Sequence, residues 1–317
     1  SARRMVMNNG DLSQKGGSLK GRLLQHEKLA KYTSWHVGGV ADQLYFPFDR
    51  DDLVNFISAL SVDEPVFFMG MGSNLLIRDG GIRGTVVNTR GRLKTITICD
   101  DQSLYVEVGV HCSKVARFCR DHGFIGAEFF SGIPGTMGGA LKMNAGAFGC
   151  ETWDIVEGIE AITTQGETVM HETEDYKIGY RSVIGPDNEW FLAARLRLAK
   201  GSTKESAEKT KELLSKRSAT QPLSQPSCGS VFKNPNNDYA ARLIEVCGLK
   251  GYVVGGACVS EQHANFIINQ DNATAKDIET LIEIIQVQVE KKLGVMLERE
   301  VEIIGEFHVG SDHGGCR

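Results

Sequence analysis

The sequence predicts an α+β protein of more than one domain, and three observations carry that expectation. Short runs of β-branched and aromatic residues, separated by glycine or acidic turns, fill the chain up to about residue 200. Helical periodicity dominates beyond that point. The 36 glycines among 317 residues exceed the usual ~7% and sit in a few dense blocks rather than in linkers, with only seven prolines in the chain. At roughly 100–200 residues per domain, the length fits two domains.

The elements follow in order. Asp49 to Leu60 is expected to be a helix, with Asp49 as its cap and Leu53, Phe56, Ile57 and Leu60 on one face. Pro65 to Met69 reads as a buried strand, and Leu75 to Ile77, Thr85 to Thr89, Lys94 to Ile98 and Leu104 to Val108 as further short strands. Ser113 to His122 is a second helix, stopped by Gly123. Past the glycine-dense stretch Ser131 to Gly149, strands are expected at Ile159 to Thr163, Glu167 to Met170 and Trp190 to Leu198. The charged run Thr203 to Arg217 is a solvated helix marking a domain boundary, with Pro222 and Pro226 beyond it. Tyr239 to Cys247 is a helix ended by Gly248, Asn265 to Asn269 a strand, and Glu300 to Ile304 a closing strand. Thr274 to Leu293 is a long amphipathic helix capped by Thr274 and ended by Gly294.

Composition narrows the class. Apolar residues at 41% and charged residues at 24% are near globular averages. No apolar run approaches the ~18 residues of a membrane span. Arg3 and Arg4 are followed by no apolar stretch, so no secretory signal is expected. A net charge of −5 does not suggest binding to nucleic acid. Eight cysteines without a CxxC pair are expected to be reduced, which suits a cytoplasmic protein. The eight histidines show no HxxxH or HExxH spacing, so no metal site is expected. No obligate protein partner is evident.

Two glycine blocks are the chemical signals. Gly70-Met-Gly-Ser-Asn74 follows a strand, but Leu75 stands where a dinucleotide fingerprint needs its third glycine, and strand rather than helix comes next. The loop is therefore either a nest of N–H groups for a pyrophosphate or a tight turn. The Ser131–Gly149 block would let a flat ligand lie on the backbone, or two chain segments pack closely.

Motifs in fixed order extend these signals. They are Thr33-Ser-Trp-His-Val-Gly-Gly39, the two glycine blocks, Gly179-Tyr-Arg181, Gly229-Ser-Val-Phe-Lys-Asn-Pro235, Gly248-Leu-Lys-Gly251, Val259-Ser-Glu-Gln-His-Ala-Asn-Phe266 and Leu297-Glu-Arg-Glu-Val301. From about Leu24 to Ile304 the chain resembles the UDP-N-acetylenolpyruvoylglucosamine reductase family, flavoenzymes of peptidoglycan precursor synthesis.

The resemblance implies a fold and a chemistry. It implies an FAD-binding domain of the vanillyl-alcohol-oxidase (PCMH) type over 22–199, with lobes 22–93 and 94–199 holding non-covalent FAD between them. A smaller α+β substrate domain covers 200–305, and tails lie at 1–21 and 306–317. No tyrosine occurs between Tyr180 and Tyr239, so the chain resembles the shorter type lacking a tyrosine-bearing loop. NADPH is the implied reductant and a UDP-sugar the substrate, whose enolpyruvyl ether becomes a lactyl ether. By motif, Ser230 is the proton donor to C2, Arg181 holds the substrate carboxylate, and Glu300 is the third catalytic residue, with Glu298 its nearby competitor. FAD contacts are implied at Gly70, Met71, Gly72, Ser73, Asn74 and Leu75 for the pyrophosphate. Near the ring system they are Ile133, Pro134, Gly135, Thr136, Gly138 and Gly139, with Asn144, Ala145 and Gly146. Lys233, Asn234 and Lys250 are the candidate substrate contacts, and alkylation of Cys228 is expected to block the site by bulk.

Overall fold

The computed structural model describes residues 19–307, and in it the helices are α1 (Arg50–Ala59), α2 (Cys112–Asp121), α3 (Met137–Met143), α4 (Thr203–Thr220), α5 (Ala240–Val246) and α6 (Ala275–Leu293). Together with the sheets described below they give the expected α+β class. Contacts gather the chain into two units. Among the described residues, the first holds 19–24, Gln43–Met71 and Thr85–Ala219; the second holds Gln25–Asp42, Gly72–Gly84 and 220–307. The break after Ala219 falls at the end of α4, whereas the expected boundary lay before that helix, at 199/200. Residues 25–42 and 72–84, expected within 22–199, group instead with the C-terminal part.

In the first unit, α1 starts where Asp49 Oδ1 accepts the Asp52 N–H at 2.9 Å, and it buries Leu53, Phe56 and Ile57. An antiparallel sheet runs in the order Thr168–Glu172, Val156–Thr163, Glu189–Leu196, Leu104–Glu107, Ile96–Ile98. Its inner residues Ile159, Ala161, Leu192, Ala194, Val106 and Leu104 share one core with α1 and α2. Burying each large side chain there is worth about 1.5–3 kcal/mol. Strand Val66–Met69 pairs in parallel with Ile82–Asn88, Met69 opposite Asn88, and delivers the chain to Gly70.

The expected N-terminal tail needs correction at its inner end. Lys20 and Gly21 donate their N–H groups to Asp52 Oδ1 at 2.7 and 3.2 Å, and Leu19 packs on the core. The rest of that tail, 1–18, lies outside the described residues. Similarly, Glu306 donates its N–H to Gly81 at 2.8 Å and Phe307 lies under the Arg78 guanidinium, while 308–317 lie outside the described residues.

A second correction concerns the glycine-dense stretch, which contains helix α3. Gly138-Gly139 has poor helix propensity, but Met137, Ala140 and Leu141 are buried, and packing overrides propensity. Asn144 ends the helix at φ +46. The hairpin Lys177–Gly179 with Ser182–Ile184 and the strands Arg22–Lys28 and Val40–Phe46 also had no clear periodicity to announce them.

In the second unit, α6 is capped as expected. Thr274 Oγ1 accepts the Asp277 N–H, Asp277 Oδ2 accepts the Thr274 N–H, and Gly294 closes the helix at φ +69. The stripe Ile278, Leu281, Ile282, Ile285 and Val289 packs in one core with Trp35, Leu76, Phe232 and Leu243. Trp35 Nε1 donates to the Ile267 carbonyl at 2.7 Å, joining 25–42 to the sheet Val253–Val254, Ala257–Val259, Ile267–Asn269. Strand Glu302–Ile304 pairs in parallel with Leu75–Ile77.

Candidate active site

In the second unit the segment after Gly229 forms a short antiparallel ladder with the segment after Leu297. Glu300 donates its N–H to Val231 O at 2.8 Å, Phe232 bridges Arg299, and Lys233 donates its N–H to Glu298 O at 2.9 Å. The backbones of Ser230 and Glu300 are thereby neighbours. Gly229 turns the chain into this segment at φ +71, a conformation that favours glycine. Ser230 and Glu300 are each half-buried. Glu298, the competitor, is exposed and paired with Lys233 Nζ at 2.6 Å.

The glycine loop 72–75 is joined to the same ladder. Asn74 Nδ2 donates to Glu300 O at 3.0 Å, and Asn74 O accepts the Glu302 N–H at 3.0 Å. Thus the Asn74 side chain, expected as a donor to phosphate, donates to a backbone carbonyl. Cys228 donates its thiol to Gly72 O and Leu75 O at 3.6 Å each. Burial pushes this thiol up to about 12 and Cys228 is 4% exposed, so its sulfur is neither readily ionised nor exposed.

The three candidate substrate contacts also make contacts within the protein. Lys233 pairs with Glu298, Lys250 Nζ pairs with Glu245 at 3.0 Å, and Asn234 Oδ1 accepts the Ala240 N–H at 3.1 Å, at the start of α5.

In the first unit Arg181 sits at the turn of the 177–184 hairpin with φ +52. An L-residue in that region is strained, and glycine or asparagine is the usual occupant. The guanidinium is held. Nη1 donates to Asn144 O at 3.2 Å, Nη2 donates to Gly146 O at 2.8 Å, and Glu151 Oε1 lies 3.6 Å from Nη1. Asn144, 1% exposed, organises this corner: Nδ2 donates to Glu151 Oε2 at 2.7 Å and to Gly179 O at 3.1 Å, while Oδ1 accepts the Trp153 N–H. Sequence reasoning missed Glu151, whose only signal was its place just past the second glycine block.

The expected flavin contacts of this unit divide into two kinds. A Cβ on Gly138 would come within 2.9 Å of Val108 Cβ, and one on Gly146 within 2.6 Å of Cys150 O, so these glycines serve chain packing. Gly139 faces open space. A Cβ on Gly70 would fall 2.3 Å from Thr136 Oγ1. That hydroxyl, in a residue 1% exposed, has no hydrogen-bond partner, and neither has Nδ2 of the fully buried Asn88. Buried polar atoms left without partners are costly, and such atoms are where a polar ligand is missing. Thr136, Asn88, Gly70 and the open face of Gly139 therefore fit a polar cofactor. Among the described residues, no group of His, Cys, Asp or Glu could hold a metal ion, the seven described cysteines are free, and no helix is long and apolar enough to cross a membrane.

Comparison with known proteins agrees with this geometry. Residues 41–171 match the model of an FAD-binding domain, and residues 221–304 match the C-terminal domain of UDP-N-acetylenolpyruvoylglucosamine reductase. The chain is 56% identical to the reductase of that name from Methylococcus capsulatus, over 90% of this chain and 94% of the relative. It is 50% identical to that of Nitrosococcus oceani, over 91% and 97%. The crystal structure of the Thermus caldophilus enzyme (MurB) superposes with a TM-score of 0.76 at 31% identity, covering 90% of this chain and 98% of that one. These matches carry the expected α+β fold, an FAD-binding domain followed by the C-terminal domain of the reductase family.

Proposed function

The chain belongs to the UDP-N-acetylenolpyruvoylglucosamine reductase family, and from that premise we propose that it reduces the enolpyruvyl ether of its UDP-sugar to the lactyl ether, with bound FAD and with NADPH as reductant. It is an oxidoreductase of peptidoglycan precursor synthesis. The reading includes a cytoplasmic setting. The observation that carries it is the 2.8 Å bond from Glu300 N–H to Val231 O, which makes neighbours of two residues far apart in sequence that the family motifs single out.

Thr136, Asn88, Gly70 and Gly139 would hold FAD in the first unit. Held there and first reduced by NADPH, the flavin would supply the hydride for C3 of the enolpyruvyl group and return to its oxidised form. The electron pair left at C2 spreads into the substrate carboxylate. Arg181, its guanidinium already oriented by Asn144 O and Gly146 O, binds that carboxylate, and the attraction grows as charge develops. Ser230 gives its hydroxyl proton to C2, and the alkoxide left behind is reprotonated from water. A serine hydroxyl is a weak acid, so its placement matters more than its pKa. An ionised Glu300 would repel the developing dianion, so its role is either that of a protonated carboxyl or that of orienting Arg181 or a water. Lys233, Asn234 and Lys250 remain the proposed contacts to the nucleotide. Their present partners are surface ion pairs and a helix cap, interactions worth about 1 kcal/mol or less for the pairs.

The purified protein should show a flavin spectrum that NADPH bleaches anaerobically and the enolpyruvyl sugar nucleotide restores. Ser230→Ala should bind FAD and be bleached normally but be restored slowly. A colourless protein, or wild-type restoration in that variant, would remove the proposal.

A further inference from the structure

The segment 259–266 has no part in the chemistry above, yet it touches the residues next to Ser230. Its Asn265 is 3% exposed. The carboxamide forms a closed pair with one backbone unit: Phe232 donates its N–H to Oδ1 at 3.0 Å, and Nδ2 donates to Phe232 O at 2.8 Å. A third bond comes from the main chain, where Val231 donates its N–H to Asn265 O at 2.9 Å. Only an amide offers a donor and an acceptor at this spacing; aspartate lacks the donor, and glutamine is one methylene longer. Asn265 is itself fixed, because its N–H donates to His263 Nδ1 at 3.3 Å and the loop closes through Ser260 N–H to Phe266 O at 2.9 Å.

On the other side of the same two residues stands Glu300, donating to Val231 O. Residues 231–232 thus form a two-residue strand clamped from both sides, and the amide that follows Ser230 is one of the clamped groups.

We propose that Asn265 is a positioning residue for proton delivery: it holds the 231–232 backbone so that the Ser230 hydroxyl meets C2. This rests on the function proposed above. A weak acid cannot compensate in pKa for what it loses in placement, and a misplacement of about 1 Å can cost roughly 10²-fold in rate.

The test has two arms. In the apoprotein, hydrogen exchange of the Phe232 amide, whose acceptor is the Asn265 side chain, should be slow in wild type and fast in Asn265→Ala. In the flavin-loaded protein, Asn265→Ala should leave FAD affinity, the rate of reduction by NADPH and KM for the sugar nucleotide within about twofold. Reoxidation by the enolpyruvyl sugar nucleotide should slow by about 10²-fold, with a larger solvent deuterium isotope effect as proton transfer becomes limiting. Should the alanine variant fail to fold, Asn265→Asp keeps the acceptor for Phe232 N–H and should show the same split. Reoxidation at the wild-type rate, or equal slowing of both half-reactions, would overturn the positioning role. Failure of the wild-type protein itself to be reoxidised would instead overturn the function, and the clamp's role with it.

Discussion

Asn74 holds Glu300 by its carbonyl, Nδ2 donating at 3.0 Å across 226 positions of sequence. Asn74 of the glycine loop therefore supports the ladder that carries Glu300. Asn74→Ala leaves the Glu300 carbonyl without this donor, which should cost about 1–3 kcal/mol of stability. Urea unfolding should show that loss, and turnover should fall while reduction by NADPH persists. An unchanged unfolding midpoint would mean that the bond contributes nothing.

Arg181 offers a cleaner separation of strain from chemistry. Its φ of +52 suits glycine, so Arg181→Gly should be more stable than Arg181→Ala by about 1 kcal/mol. Both should lose at least 10²–10³ in turnover, because both lack the group that meets the developing charge. Thermal midpoints of the two variants in the opposite order would show that the turn is not strained.

Thr136→Val removes a buried hydroxyl that has no partner among the described residues and keeps the side chain's shape. The apoprotein should be as stable as wild type or more so, since a desolvated donor is lost. FAD affinity, measured by fluorescence titration, should fall. Unaltered affinity would exclude the hydroxyl from the cofactor site.

Asp52 governs the acid limb of stability. Burial alone would raise its pKa. The Tyr45 hydroxyl at 2.6 Å and the N–H groups of Phe48, Lys20 and Gly21 outweigh burial and hold the carboxyl below the usual carboxylate range. Because the folded pKa lies below the unfolded one, its contribution is complete at neutral pH. It is lost as pH falls below about 4 toward the folded value. Asp52→Asn should be the less stable protein at pH 7, and the two unfolding free energies should converge on acidification. Parallel curves would show that Asp52 plays no such part.

Much of this was legible in the sequence because it is encoded locally. Asp49 and Thr274 announced their helices, Gly123 and Gly294 ended theirs, and the stripe of α6 came with its own period. The motifs around Ser230, Arg181 and Glu300 single out the residues proposed for the chemistry. Helix α3 was hidden, because its two glycines argue against helix and only the burial of Met137, Ala140 and Leu141 argues for it. Cys228 lies two residues before Ser230 in the sequence, and only the surrounding chain shows it enclosed.

Residue identity thus determined which groups could carry anion binding and proton donation, since those properties belong to side chains. The tertiary structure alone decided that Asn74, Val231, Asn265 and Glu300 converge on one ladder and that Asn144 and Glu151 orient Arg181. Hydrogen bonds are directional and short, so they join whatever the fold brings within about 3 Å, and separation along the chain carries no trace of that distance.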